Sequence, residues 1–204
     1  MNALGINQGT SGNIGVRCGD RMLITPSATP YECMRPEDVA SMMLEGKRGV
    51  WTGPLKPSTE WRFHLDILRG RPDAGAVVHT HAPYCTTLAI LRQPIPAVHY
   101  MIAVFGGDDV RCAPYAKFGT AELAAHTLTA LEGRNACLLA NHGMVVVGAN
   151  LDKAMWLAVE LETLARQYCL ALQLGEPHLL TAEEIADVTG AIASYGLQDP
   201  KPVD

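Results

Sequence analysis

The sequence has 204 residues, of which 48% are hydrophobic and 18% are charged, with a formal net charge of −5. This composition is typical of an ordinary globular protein, the length favours a single domain over residues 1–204, and the acidic balance without a Lys/Arg cluster argues against a nucleic-acid-binding groove. No apolar run approaches the roughly 20 residues that a membrane-spanning helix requires.

The cysteines indicate a reducing compartment. They are scattered at positions 18, 33, 85, 112, 137 and 169, without a CxxC pair or the spacing of a disulfide framework. Such cysteines are typical of reduced thiols in a cytosolic protein. The first residues, MNALGINQG, contain neither a basic segment nor a long apolar run, so no secretory signal is visible. We therefore expect a cytoplasmic protein.

A glycine-rich segment, NQGTSGNIG, occupies residues 7–15. It lacks a preceding strand and the GxGxxG spacing, which argues against a dinucleotide-binding loop of the Rossmann type. Two interpretations remain open, a loop that cradles a phosphate through backbone N–H groups and a plain tight turn.

Short apolar runs alternate with segments of helical periodicity along the rest of the chain. Helices are predicted over 58–69, 83–91, 120–132, 151–174 and 181–196. The alternation predicts an α/β fold in which the strands mostly form one sheet and the helices cover it. The predicted strands are Met22–Thr25, Val39–Leu44, Ala76–Thr80, Pro96–His99, Ala136–Ala140 and Met144–Gly148.

Three polar side chains, Ser58, Thr59 and Glu60, lie at the start of the first predicted helix. Helix capping and the helix macrodipole explain hydroxyls and a carboxylate at this place. The same groups, with free backbone N–H groups, can also hold a phosphate beside a carboxylate. From these residues alone both interpretations stay open.

Three histidines are candidate metal ligands. His79 and His81 end the apolar run AGAVVHTH, and His142 follows a second apolar run. In a strand, side chains at i and i+2 leave on the same face, about 6.5–7 Å apart along the backbone, and a neighbouring strand can bring the third imidazole. Three neutral nitrogen donors with an open fourth position are typical of a catalytic zinc site. A lone His-x-His is weak evidence, so this hypothesis depends on the surrounding residues.

Two other residues are less informative by pattern. His64 lies four residues after Glu60 on the same predicted helix, so we interpret it as a partner of that carboxylate. Tyr100 follows a predicted strand, and its pattern alone indicates a core residue.

Seven segments, in the right order and spacing, resemble the class II aldolase/adducin family. The resemblance extends from Leu4 to about Tyr195 and is greatest to the family's aldolases that act on L-fuculose 1-phosphate. It implies a single domain with a central, largely antiparallel β-sheet covered by helices. The segments read LGINQGTSGN (4–13), LITPS (23–27), STEWRFH (58–64), AVVHTH (76–81), IPAVHYMIA (95–103), CAPYAKFGT (112–120) and NHG (141–143).

The resemblance implies a zinc-dependent enzyme and assigns its central residues. His79, His81 and His142 are the implied ligands of one Zn²⁺ per subunit, and Glu60 is the implied general acid/base. Zinc would stabilise the enediolate formed when a carbon–carbon bond of a ketose 1-phosphate breaks, and the carboxylate would transfer the proton at carbon. The implied reaction is reversible cleavage of L-fuculose 1-phosphate to dihydroxyacetone phosphate and L-lactaldehyde.

Further residues match positions that contact the substrate in the family. Tyr100 matches a catalytic tyrosine that reaches into the site of the neighbouring subunit, in a homotetramer whose active sites lie at subunit boundaries. Tyr195 matches a mobile C-terminal tyrosine that helps cover the site. The residues that match phosphate-holding positions are Asn13, Ser27, Ser58 and Thr59.

The sequence departs from the family pattern at three places. It begins almost at the LGIN motif, so the helix that precedes this motif in the family is expected to be missing. Ala28 follows Ser27 where a glycine is usual, and Thr59 replaces a serine but keeps the hydroxyl.

Other functions on the same scaffold remain alternatives. A pentulose 5-phosphate 4-epimerase or a sugar-acid phosphate decarboxylase would share the zinc triad. A non-catalytic, adducin-like binding module or a structural zinc domain would have no need of an unsaturated triad with Glu60 beside it.

Overall fold

The structure, a computed structural model, describes residues 1–192. Its strands are β1 (Asn13–Cys18), β2 (Arg21–Ile24), β3 (Ala40–Met43), β4 (Ala76–Thr80), β5 (Arg111–Ala113), β6 (Ala136–Leu139) and β7 (Gly143–Gly148). They form one seven-stranded sheet in the order β3-β2-β1-β4-β7-β6-β5. Neighbouring strands are antiparallel except β5 and β6, which are parallel. The predicted α/β fold with one largely antiparallel sheet is confirmed.

Helices cover both faces of the sheet. They are α1 (Trp61–Gly70), α2 (Pro83–Ile90), α3 (Ala121–Ala130), α4 (Leu151–Leu174) and α5 (Ala182–Ile192). One core contains α2, α4 and alternate strand residues such as Val78, and the other contains α1, α3 and residues such as Val77. Because β4 lies between these two cores, all of its residues are buried. This explains its continuous apolar run, without the alternation of a half-exposed strand.

The prediction of a strand at Pro96–His99 is wrong. Proline has no backbone N–H to donate to a strand ladder, and the N–H of Val98 instead donates to the carbonyl of Pro96 at 2.7 Å, which closes a tight turn. A 3₁₀ helix follows at Tyr100–Phe105, where the Nδ1 of His99 accepts the N–H of Met101 at 3.2 Å.

Capping residues mark the predicted helix starts correctly. Thr120 accepts the N–H of Leu123 at the start of α3, and Asn150 accepts the N–H of Lys153 at the start of α4. Thr181 and Glu184 form the predicted reciprocal pair before α5. The predicted end of this last helix, at residue 196, lies outside the described residues.

Two further findings concern the environment of the chain. Within residues 1–192, no helix combines the length and apolar character needed to cross a membrane. All six cysteines fall in this described part, and all are free thiols.

A partly buried contact between two helices holds the loop that follows β4. The carboxylate of Glu162 on α4 accepts the backbone N–H groups of Tyr84 and Cys85, both at 2.9 Å. These N–H groups belong to the first turn of α2, where no intrahelical acceptor is available. Because α2 begins two residues after His81, this contact also fixes the chain that carries His81.

We expect Glu162→Ala to lower the free energy of unfolding by about 2–3 kcal/mol, since it leaves two N–H groups without their charged acceptor. Glu160→Ala, on the same helix, is the matched control and should change stability by less than about 0.5 kcal/mol. Urea denaturation followed by circular dichroism measures both. Equal effects of the two substitutions would contradict this role of Glu162.

Candidate active site

The middle of the sheet brings three histidines together. Strand β4 ends where the antiparallel strand β7 begins, with Thr80 paired to Met144. His79 and His81 therefore come next to His142, which precedes β7. One ring nitrogen from each histidine lies within 4.8 Å of the others.

The three imidazoles fit a divalent metal ion. The Nδ1–H of His79 donates to the carbonyl of Met144 at 2.8 Å, which leaves Nε2 as the free donor atom. The Nε2 of His81 is buried without a hydrogen-bond partner among the described residues, and the Nε2 of His79 is buried 3.2 Å from Oε2 of Glu60. Burial, followed by the nearby His79 charge, lowers the pKa of both His81 and His142 to about 4. At neutral pH these rings are uncharged and present lone pairs, as metal ligands must.

The Asn-His-Gly segment has a backbone reason for its composition. Asn141 has a φ of 55°, a left-handed conformation that asparagine tolerates better than most residues. The side chain of Arg92 donates to Asn141 Oδ1 at 3.0 Å. A Cβ at Gly143 would lie 2.4 Å from the carbonyl oxygen of Thr80, so only glycine allows this close approach to β4. The turn thereby sets the position of His142.

Glu60 faces the histidines instead of capping its helix. It immediately precedes α1, but its side chain makes no cap hydrogen bond, so the capping interpretation of Glu60 is wrong. Its Oε2 lies 3.2 Å from Nε2 of His79, and its Oε1 lies 3.3 Å from Nε2 of His142. Burial raises the pKa of Glu60, but attraction to and hydrogen bonding with His79, together with His142 and Asn13, outweigh burial and hold the pKa well below its usual value. The group is therefore a carboxylate.

Asn13 and His64 form a second layer behind Glu60. The Nδ2 of Asn13 donates to Oε2 of Glu60 at 3.0 Å, and its Oδ1 lies 2.5 Å from Nε2 of His64. His64 therefore contacts Asn13 instead of pairing directly with Glu60, which corrects the interpretation from helical spacing. The four-residue spacing was the only signal in the sequence for this link.

The residues predicted to hold phosphate lie around the start of α1. The N–H of Ser58 donates to the carbonyl of Thr25, and the N–H of Ser27 donates to that of Lys56, so the two segments run side by side. The Oγ of Ser58 accepts the N–H of Glu60 at 3.2 Å, while Thr59 is exposed beside it. Asn13 is already hydrogen-bonded to Glu60. None of these contacts tests phosphate binding, so the phosphate role of Asn13, Ser27, Ser58 and Thr59 stays a prediction.

Ala28 has the backbone conformation that favours glycine. Its φ is 53°, in the left-handed region that costs a residue with a Cβ about 1–2 kcal/mol. This accounts for the glycine that the family resemblance implies at this position, because the turn after Ser27 adopts a positive φ.

The two predicted tyrosines have different outcomes. Tyr100 begins the 3₁₀ helix, is 43% exposed, and contacts the ring of His99, so the core interpretation from its pattern is wrong. It is not among the described residues that line the cavity beside the histidines in its own chain. Tyr195 lies outside the described residues.

A cavity of about 280 Å³ opens beside Glu60, His81 and His142. Sequence reasoning did not single out Tyr115 and Phe118, which line it and are each 57% exposed. Their loop packs on Thr59, whose carbonyl oxygen would lie 2.7 Å from a Cβ at Gly119. Their only signal was their presence in the CAPYAKFGT segment. The cavity is lined by Thr59, Glu60, His81, Tyr115, Ala116, Phe118, Asn141 and His142.

The chain is similar to several known proteins. The family model for the Class II Aldolase and Adducin N-terminal domain matches residues 1–169. A 5-methylthioribulose-1-phosphate/5-deoxyribulose-1-phosphate aldolase of Rhodospirillum rubrum is 54% identical over 204 residues, which cover 99% of this chain and 91% of the relative. An L-fuculose phosphate aldolase of Escherichia coli is 50% identical over 199 residues, covering 97% and 91%. A solved L-fuculose 1-phosphate aldolase structure has a TM-score of 0.87 at 41% identity, covering 92% of this chain and 88% of its own.

We expect about one divalent metal ion per chain after purification without added metal, because three imidazole nitrogens converge on one space. His142→Ala should lose most of this metal, while His178→Ala, which changes an exposed histidine far along the chain, should keep it. Elemental analysis by mass spectrometry gives the metal content. An unchanged metal content in His142→Ala would exclude this triad as the binding site.

Proposed function

Because the chain belongs to the class II aldolase and adducin family, we propose that it is a zinc-dependent aldolase that reversibly cleaves a ketose 1-phosphate to dihydroxyacetone phosphate and an aldehyde. It is a class II aldolase of the fuculose-phosphate and methylthioribulose-phosphate type. The observation that carries the proposal is the convergence of three imidazole nitrogens and the Glu60 carboxylate beside one cavity.

Zinc is the metal that the donor set favours. His79, His81 and His142 would hold it, since zinc in catalytic sites takes three protein ligands and keeps a position open for substrate. When bound, the ion supplies a positive charge that stabilises negative charge developing on substrate oxygens. The neutral rings of His81 and His142 would leave that charge undiminished.

Glu60 is the group that moves the proton at carbon. In cleavage, the C4 hydroxyl loses its proton as the bond between C3 and C4 breaks and C4 becomes the aldehyde carbon, and C3 gains a proton that Glu60 takes up and passes on, so that no proton is gained or lost overall. In condensation, the same carboxylate removes a proton from the hydroxymethyl carbon of dihydroxyacetone phosphate. Its lowered pKa keeps Glu60 ionised and ready to accept that proton.

L-Fuculose 1-phosphate is the substrate we propose, and 5-methylthioribulose 1-phosphate is the second candidate. Both give dihydroxyacetone phosphate, so they differ only in the aldehyde. The second candidate is kept because the Rhodospirillum enzyme is 54% identical, beside 50% for the Escherichia enzyme. The apolar surfaces of Tyr115 and Phe118 suit either aldehyde, and one methyl group discriminates by only about 10–200-fold in an apolar pocket.

An assay of dihydroxyacetone phosphate release tests the reaction and ranks the substrates. We expect chelator-sensitive release from both L-fuculose 1-phosphate and 5-methylthioribulose 1-phosphate, with kcat/KM values that differ by less than about 200-fold. The unphosphorylated sugars are the control and should be very poor substrates. Epimerisation of a pentulose 5-phosphate, or decarboxylation of a sugar-acid phosphate, without release of dihydroxyacetone phosphate would favour the two rival enzymes.

We also propose a cytoplasmic homotetramer with each active site at a subunit boundary. The free cysteines support the compartment. The exposure of Tyr100, and its absence from the described lining of its own chain's cavity, support a role in the site of a neighbouring subunit. The remaining proposed substrate contacts are Asn13, Ser27, Ser58, Thr59 and Tyr195.

Hybrid assemblies test Glu60 and Tyr100 together. Glu60→Gln should lower kcat by about 100-fold or more, because the amide cannot transfer the proton, and Tyr100→Phe should also be slow. Mixed and reassembled, the two variants should regain part of the activity, since some sites would then combine an intact Glu60 with an intact Tyr100. Dihydroxyacetone phosphate release before and after mixing measures this. An active monomer in sedimentation would contradict the shared site.

A further inference from the structure

His64 takes no part in the proposed chemistry, yet one side chain connects it to Glu60. His64 is fully buried on α1, one turn after Glu60. Its Nε2 lies 2.5 Å from Oδ1 of Asn13, and the Nδ2 of Asn13 donates to Oε2 of Glu60 at 3.0 Å. The three side chains therefore form one hydrogen-bonded line that ends at the proposed proton-transfer group.

The hydrogen bonds in this line run in one direction. Because an amide oxygen only accepts, the Nε2 of His64 must carry the hydrogen, and the NH₂ group of Asn13 then faces the carboxylate. A rotated amide would place its oxygen against Oε2 of Glu60, where two acceptors repel. The Nδ1 of His64 is buried without a hydrogen-bond partner among the described residues, as suits a bare acceptor. Burial lowers the pKa of His64 to about 3, so the ring is neutral.

We propose that His64 is a positioning residue, which holds the Asn13 amide so that Oε2 of Glu60 is anchored and Oε1 stays turned toward the substrate. This inference rests on the proposed aldolase function. Oε1 makes no hydrogen bond within the described part of the chain and lies 3.3 Å from Nε2 of His142. Anchoring one oxygen of the carboxylate restricts its rotation, and the accepting oxygen is thereby held in line with the proton at carbon.

A core histidine that only fills space would behave differently. The ring of His64 stacks on Phe63 with centroids 4.5 Å apart, and an apolar side chain could replace that packing. It could not donate to Oδ1 of Asn13, which would then be buried without a partner, so the amide would turn and release Glu60. Packing and positioning therefore predict different effects on turnover.

Three variants separate these roles. His64→Leu keeps the volume but removes the donor, His64→Gln places an amide N–H where Nε2 was, and Ile67→Val loosens the same helix at another buried position. We expect His64→Leu to slow kcat, and the exchange of solvent deuterium into dihydroxyacetone phosphate, by about 10- to 100-fold. Its KM should change less than its kcat, because the proposed phosphate contacts Ser27, Ser58 and Thr59 remain, and its metal content should stay unchanged, because the three histidines remain. His64→Gln should recover most of the rate, and Ile67→Val should keep it.

The structure also allows a test without any variant. Nitrogen NMR of the wild-type, metal-loaded protein should show His64 neutral, with its hydrogen on Nε2. A hydrogen on Nδ1, a His64→Leu protein with normal kcat, or a His64→Gln protein as slow as His64→Leu would each overturn the positioning role. Wild-type protein that neither cleaves ketose 1-phosphates nor exchanges dihydroxyacetone phosphate would instead overturn the aldolase function, and with it this inference.

Discussion

The pairing of β4 with β7 is the constraint on which the site depends. These strands lie in the middle of the sheet with all their residues buried, so a shift of one residue would turn every side chain to the opposite face. The register that avoids this shift places Thr80 opposite Met144. It also brings His81 and His142 to the same end of the sheet. The geometry of the triad is thus set by the packing of two apolar strands, far more than by contacts among the histidines themselves.

The glycine-rich segment at residues 7–15 is tied to the same place. The Oδ1 of Asn7 accepts the backbone N–H of His81 at 3.3 Å, and a Cβ at Gly12 would lie 2.7 Å from the carbonyl oxygen of His79. The hydroxyl of Tyr31 donates to the carbonyl of Gly12 at 2.8 Å, and burial raises the pKa of this phenol to about 12. The segment therefore packs against the backbone that carries His79 and His81, and Gly12 is needed for that close approach.

Local signals allowed much of the fold to be predicted, and the residues that depend on distant partners were the ones missed. Strands β4 and β7 and the helix caps have sequence patterns of their own. Strands β1 and β5 were not predicted. Strand β1 contains a glycine and an arginine and is stabilised by pairing with β2 and β4 on its two edges. Strand β5 has only three residues, too few to show a pattern. The triad followed from a two-residue spacing and the family resemblance. The contact of Asn13 with Glu60 spans 47 residues, and that with His64 spans 51, so no local pattern could reveal either.

The fold, rather than the metal, has to hold this polar cluster together. Nε2 of His79 lies 3.2 Å from Oε2 of Glu60, and Oε1 of Glu60 lies 3.3 Å from Nε2 of His142. Burying polar groups in such a cluster costs free energy that their mutual contacts offset only in part. The two apolar cores on either side of the sheet supply the stability that offsets this cost. Small zinc domains behave in the opposite way, because they unfold when the metal is removed. A site formed in advance by the fold keeps its imidazoles and its carboxylate aimed at one point, where a divalent cation would find its ligands already in place.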